Sequence, residues 1–175
     1  IFSANFNAGM DGFAYLDDLF YNTTQPLYAS GVLVGAGGFT GGALQINLGG
    51  INNNVVLGMS GGWQTTFNLV EAGTVRLAFR YNLTQSSQYE NTEFSNMMLS
   101  IDNVLIGTTT TDYIVRITGN GNGGGIITTG WQLYETTQIL PAGLHTINIG
   151  GYNNRKNAPN ESTTILIDDV LLVRN

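Results

Sequence analysis

Apolar and polar residues alternate along this chain with a period of two, and no sustained 3.6-residue apolar period interrupts them. In "TVRLAFRYNL", Val75, Leu77, Phe79, Tyr81 and Leu83 share one side of an extended segment, and Arg76, Ala78, Arg80 and Asn82 the other. In "GLHTINIGG", Leu144, Thr146, Asn148 and Gly150 oppose His145, Ile147 and Ile149. The same pattern, punctuated by Gly, Asn and Ser, predicts strands near 2–6, 31–34, 43–48, 54–59, 64–69, 74–84, 95–101, 104–106, 112–117, 130–138, 144–150 and 163–173. "VEAG" at 70–73 and "LPAG" at 140–143 read as tight turns into the strands that follow. Many short strands without helices predict an all-β fold, a two-sheet antiparallel β-sandwich of the jelly-roll type, as one domain over 1–175.

One segment resists the pattern. In "TILIDDVLLV", seven of the eight residues flanking the pair Asp168–Asp169 are aliphatic. Strict alternation turns one of two adjacent carboxylates inward unless the strand bulges there. A buried carboxylate must be neutralised, paired or bound to a metal ion.

Composition narrows the setting. Charged residues make up 10% of the chain, against ~25% in an ordinary domain. Its polar surface is therefore Asn, Thr, Ser, Gln and Gly, which suits an extracellular β protein. A net charge of −6 without a basic run argues against nucleic acid. There is no cysteine, and no apolar run approaches the ~18 residues of a membrane span. The chain starts without a signal-like segment, as expected of a secreted monomeric module tethered to other domains. The Gly-rich "GNGNGGG" at 119–125 reads as a flexible loop, since no Lys-Ser/Thr or helix follows it as in a phosphate loop.

The opening "SANFNAGMDGF" resembles the first strand of calcium-containing jelly-roll carbohydrate-binding modules, and "TTILIDDVLLV" resembles their closing strand. Between them, "FRYNLTQSSQYENTEFSNMMLSIDNVLIG" and "LPAGLHTINIGGYNNRKNAPNESTTILIDDV" resemble modules strung through large secreted bacterial proteins. The likeness covers about two-thirds of the chain and is weakest at 25–60. It implies a structural Ca2+ held between the chain ends, with Asp169 in the place of the closing aspartate and Asn7 in that of the opening glutamate; the alternative is that the carboxylates only accept backbone N–H bonds at a bulge. Asn7 is a departure: it offers a neutral oxygen and one negative charge fewer, which weakens a calcium site. Asp11, Asp17 and Asp18 are near enough in sequence to substitute.

Two polar clusters stand out in a charge-poor chain. "RYNLTQSSQYENTEF" carries Arg80, Asn82, Gln85, Tyr89, Glu90 and Glu93, and "GYNNRKNAPNE" carries Tyr152, Asn154, Arg155, Lys156 and Glu161. Sugar recognition needs a ring to stack on a pyranose face and planar polar groups that fork onto adjacent hydroxyls. Arg80, Tyr89, Glu90, Glu93, Asn154, Arg155 and Lys156 are accordingly the candidate carbohydrate contacts, for a polysaccharide or oligosaccharide leaning toward acidic glycans such as uronate polymers. The competing assignment is structural: the glutamates pair with Arg155 and Lys156 and staple loops together. Trp63 and Trp131, both in Gly-Trp-Gln, read first as core residues, as Trp usually is, with a sugar platform as the alternative for either. Catalysis has little to work with. His145 is the only histidine and has neither cysteine nor a serine nucleophile motif beside it. Glu90 with Glu93 as a hydrolytic pair, or Tyr89 with Arg80 in a lyase, are the remaining enzymatic options. The expectation is a non-catalytic polysaccharide-binding module of a secreted carbohydrate-active enzyme, with a calcium-stabilised structural or adhesive module as its rival.

Overall fold

A computed structural model describes residues 1–121 and 123–175. Asn122, inside the predicted 119–125 loop, lies outside the described residues. Along the chain run β1 (Phe2–Ala4), β2 (Ala14–Asp17), β3 (Ala29–Val34), β4 (Ala43–Gly49), β5 (Val56–Leu69), β6 (Gly73–Gln85), β7 (Phe94–Ile101), β8 (Val104–Leu105), β9 (Val115–Thr118), β10 (Ile127–Thr128), β11 (Gln132–Leu140), β12 (Gly143–Lys156) and β13 (Ser162–Arg174). The only helical turn among the described residues is a 3-10 turn at Pro26–Tyr28.

The strands form two antiparallel sheets, as the period-two pattern requires. Sheet I has seven strands along the path β10-β6-β13-β4-β3, with β11 also pairing β6 and β1 pairing β13. Sheet II has six along β2-β5-β12-β7-β8, with β9 pairing β7. The inward rows meet in one core: Val75, Leu77, Phe79 and Leu83 from β6 and Leu44, Ile46 and Leu48 from β4 face Trp63, Phe67, Leu99, Ile147 and Ile149 of sheet II. Trp63 is thereby a core residue, its indole N–H donating to the Gln45 carbonyl at 3.3 Å.

His145 belongs to this inward row as well. It is 3% exposed, where a lone strand histidine is ordinarily a surface group. Its ring faces Phe67, and both nitrogens meet oxygens, the Asp102 carboxylate at 2.7 Å and the Pro141 carbonyl at 3.0 Å.

Predicted strands 54–59 and 64–69 are one continuous strand, β5, running through Gly58, Gly61 and Gly62. Gly58 takes φ +68°, while Gly61 and Gly62 are there for close contact. A Cβ on Gly62 would sit 2.9 Å from Leu19 Cδ2, and one on Gly150 of the neighbouring strand 2.2 Å from the Gly61 carbonyl and 2.9 Å from Phe20. The segment 18–22 lies directly on this glycine strip. It turns the outer face of sheet II from a flat surface into a walled one.

Candidate functional site

The carboxylate pair is resolved by a bulge. The register of β13 against β6 shifts between Asp168 and Leu171, and Asp169 takes φ +50°. That one extra residue lets Ile165 and Ile167 before it, and Val170 and Leu172 after it, all face the core. Asp168 follows Ile167 on the outer face of sheet I, yet it is 0% exposed because the loop between β3 and β4 covers it. Its Oδ2 accepts the Thr40 N–H at 3.0 Å and its Oδ1 the Asp169 N–H at 2.7 Å. Burial raises its pKa above the ordinary carboxylate value. Asp169 turns outward to Arg80, 3.7 Å away.

The buried carboxylate is therefore Asp168, under the β3–β4 loop, while Asp169, expected to hold a cation, pairs with Arg80 and lines an opening with Asn5 and Asp11. Asn7 Oδ1 accepts the Gly42 N–H at 2.8 Å. A Cβ on Gly41 would fall 2.1 Å from that same oxygen, and one on Gly38 2.9 Å from Asp168 Oδ2 and 2.0 Å from the Gly42 carbonyl. Both oxygens of the buried carboxylate thus accept backbone N–H groups at the bulge, with no basic side chain on it among the described residues, and a cation there would draw on Asp168, Asn7 and backbone oxygens of the 38–42 loop. Among the described residues no three Asp, Glu, His or Cys side chains converge, so such a site rests on Asp168, Asn7 and backbone oxygens.

The seven candidate carbohydrate residues divide into three places. Tyr89, Glu90, Glu93, Asn154 and Arg155 gather at one end of the sandwich, in and around the loop between β6 and β7. There Tyr89 and Glu93 are buried, while Glu90, Asn154 and Arg155 are half-buried. Tyr89 is 1% exposed, its hydroxyl bonded by Asn153 Nδ2 and by Thr163 Oγ1 at 3.2 Å. Glu93 is 0% exposed: Oε2 accepts the Glu90 N–H at 2.9 Å, and Oε1 lies 3.7 Å from Arg155 Nε. Burial pushes the Glu93 carboxyl up. Asn154 clamps the entry to β7, accepting the Phe94 N–H at 2.6 Å and donating to the Thr92 carbonyl at 3.0 Å. Lys156, also 0% exposed, donates its ammonium to the Asn52 carbonyl and, at 3.2 Å, to that of Asn54. Arg80 is on the outer face of sheet I, its guanidinium 3.8 Å from the centre of the Phe39 ring, which meets the half-buried Trp131 edge-on. Tyr89, Glu93 and Lys156 are thus interior staples. A buried ring has no face for a pyranose, and a buried carboxylate cannot reach a hydroxyl.

A further set of polar and aromatic residues occupies outer-face positions of sheet II, where Ser60 and Asn96 are buried and Tyr152, Phe94 and Arg116 are partly or fully exposed. Pairing sets Ser60, Tyr152 and Asn96 side by side across β5, β12 and β7, and Arg116 of β9 next to Asn96. Aromatic rings frame this row. Tyr21 packs edge-on against Tyr152 with ring centres 4.7 Å apart, and Phe94 lies 6.3 Å from Tyr152. The Arg116 guanidinium sits 3.6 Å from the centre of the Phe94 ring and 4.5 Å from that of Tyr113. The Tyr21 hydroxyl donates to Asp112 at 2.7 Å; burial and that carboxylate hold the phenol well above its usual pKa, so it stays protonated. One row away, Gln64 donates to Asn148 at 2.9 Å and Asn148 to Ser100 at 3.0 Å.

Two depressions adjoin this face and share Leu105. One, of about 640 Å3, is lined by Gly107–Tyr113 and Arg116; the other, of about 360 Å3, by Asp18–Asn22, Ser100 and Asn103. Together they form a trough that carries Tyr113 and Arg116 in one part and Phe20 and Tyr21 in the other, with Tyr152, Phe94 and Asn96 beside it rather than in its lining. Of the residues in and around it, sequence reading singled out Tyr152 and, as a candidate cation ligand, Asp18. Tyr21, Phe94, Tyr113 and Arg116 come from four separate segments. Their one shared signal is local: Phe94 and Arg116 stand at outward positions of their strands.

No protein-family model matches the chain, and no curated protein matches it. Solved structures do resemble it in part. TmCBM61 in complex with beta-1,4-galactotriose is 16% identical, covering 98% of this chain and 95% of that one at a TM-score of 0.48. CBM35 from Paenibacillus barcinonensis is 12% identical over 100% of both chains at 0.43. The K1 cleaved adhesin domain of Lys-gingipain from Porphyromonas gingivalis W83 is 16% identical over 99% of this chain and 98% of that one at 0.48. At these identities and scores the likenesses assign no ligand.

Proposed function

We propose that this domain binds a polysaccharide without cleaving it, along the outer face of sheet II. The observation that carries this is the row Tyr152–Asn96–Arg116, ringed by Tyr21, Phe94 and Tyr113 at the edge of an open trough. Sugar rings offer an apolar face of C–H groups and an equatorial fringe of hydroxyls; aromatic side chains meet the first and planar amide or guanidinium groups the second. Nothing in the trough pairs a nucleophile with a base. The lone histidine is a core clip, and Glu93 is buried against Arg155. Each exchange of a solvated hydroxyl for a protein bond gains only ~0.5–1.5 kcal/mol, so dissociation constants fall between micromolar and millimolar.

A glycan array followed by calorimetry on wild type, Tyr21→Ala and Tyr152→Ala tests this. Binding that weakens tenfold or more in the variants, at unchanged melting temperature, supports it. Wild-type affinity in both variants places the ligand elsewhere. The interior staples favour a second reading, a structural or adhesive module of an extracellular protein, for which the array is blank. The cradle of Asp168, Asn7 and backbone oxygens is proposed to hold a structural Ca2+, which supplies charge compensation to the buried carboxylate and fixes the β3–β4 loop.

A further inference from the structure

We propose that the trough recognises an acidic sugar, and that Arg116 takes its carboxylate. The proposal rests on the assignment of the sheet II face as the glycan site, and names the class of glycan it selects. Four of the five arginines already have a carboxylate: Arg76 pairs with Glu135, Arg80 with Asp169, Arg155 with Glu93 and Arg174 with Glu71. Arg116 alone has none within 4.0 Å among the described residues. In a chain of net charge −6, an unpaired exposed arginine runs against the surrounding field.

Arg116 is nonetheless held in place. Its Nε donates to Asn96 Oδ1 at 2.9 Å, and the planar guanidinium is stacked between Phe94 and Tyr113. Stacking against rings leaves the edge of the plane, not its faces, for a ligand. With Nε engaged, the two terminal nitrogens remain as an outward fork, the geometry that takes a carboxylate through two parallel hydrogen bonds. The nearby anion, Asp112, is occupied by the Tyr21 hydroxyl rather than by Arg116.

Asn96 supplies a second, independent sign of an absent partner. It is 0% exposed, and its Nδ2 donor has no hydrogen-bond acceptor. Buried polar groups are nearly always paired, so this open donor, on the amide that already accepts from Arg116, is a second group here without a full set of partners. Arg116 and Asn96 together offer donors and no free acceptor. A sugar hydroxyl uses such donors with only part of its capacity; a carboxylate, which only accepts, uses them fully.

The test uses retention in affinity gels at about 0.15 M salt. The probes are polygalacturonate, alginate and glucuronoxylan, each beside its carboxyl-reduced counterpart, with a sulfated galactan as a further arm. Expected is retention by at least one uronate polymer, weakened tenfold or more both by carboxyl reduction and by Arg116→Gln, with Arg116→Lys intermediate. Retention of a reduced polymer as strong as of its parent overturns the acidic assignment while leaving the glycan site standing. Stronger retention by the sulfated galactan than by any uronate overturns the carboxylate specifically. No retention by any probe overturns this inference, and a blank glycan array would remove the underlying site as well. Arg116→Gln within twofold of wild type on a retained uronate also refutes it, provided melting shows the variant folded.

Discussion

The single histidine makes a sharp prediction because its chemistry is over-determined. Both nitrogens of His145 face acceptors, a carboxylate at 2.7 Å and a carbonyl at 3.0 Å, and only the imidazolium carries a hydrogen on each. The Asp102 carboxylate accordingly raises the His145 pKa above its ordinary 6.5, against the opposing effect of burial. A group whose pKa is raised by folding stabilises the fold fully below its unfolded value, and that stability is lost as pH rises through the folded value. Deprotonation removes one of two donors and turns a lone pair toward an oxygen. A hydrogen bond to a charged group contributes about 1.5–3 kcal/mol, and the 43% exposure of Asp102 puts this one at the lower end, about 1.5 kcal/mol. For a chain of this size that is roughly 3–6 °C in melting temperature. Melting of wild type and His145→Gln is to be followed from about pH 5.5 to 9, a window above the acid range in which Asp102 titrates. Although burial alone would raise it, bonds from His145 and Thr146 hold the Asp102 pKa below its usual value, so its own contribution is lost only at lower pH. The wild-type curve should fall relative to the variant as pH climbs past 6.5. Parallel curves, or an imidazole proton resonance that titrates below 6.5, refute the reasoning; with one histidine the resonance assigns itself.

Lys156→Met should lower the melting temperature, because the 51–54 loop loses the buried ammonium that bonds the Asn52 and Asn54 carbonyls, about 1–3 kcal/mol in all, and should leave glycan affinity unchanged; a weakened affinity at full stability would return Lys156 to the binding surface. Gly150→Ala should cost about 1–3 kcal/mol in chemical denaturation, since the new methyl meets the Gly61 carbonyl at 2.2 Å; an unchanged midpoint would show that β5 and β12 can spread. Calcium at a hundredfold excess over its dissociation constant should add about 2.7 kcal/mol of stability, read as a higher melting temperature than in chelator, and Asp168→Asn should abolish the difference. Identical melting of wild type with calcium and with chelator would empty the cradle of its proposed ion.

Alternation showed which face of a strand each residue takes, and so most of the sheets were legible. Val75 to Leu83 on β6 and Ile147 with Ile149 on β12 lie where the period places them. Alternation is silent on what lies above an outer face. Asp168 stands at an outward position and is sealed by the loop 35–42, whereas Lys156, opposite the core residue Val56, turns inward and reaches the carbonyls of Asn52 and Asn54. Their side chains look solvent-bound in sequence and are buried in space. The short β2 and β10 carry too few residues for a period to register. The trough was illegible for a related reason. Its rings are brought together by strand pairing across β12, β7 and β9, and no linear cluster in the chain announces them.

The two longest-range strands also occupy the two central places. β13 runs between β6 and β4 in sheet I, and β12 between β5 and β7 in sheet II. Until both are available, β4 and β6 have no common neighbour, and β5 and β7 face each other across an empty lane. Neither sheet can close from its early strands alone. The nucleus must recruit residues beyond 143 to pair with segments about 80 to 120 positions earlier, which makes folding slow and leaves unpaired edges exposed in the meantime. Sparse charge offers those edges little protection, so Pro26, Pro141, Pro159 and the many turn glycines become the breaks that limit strand-to-strand association while the last two strands arrive.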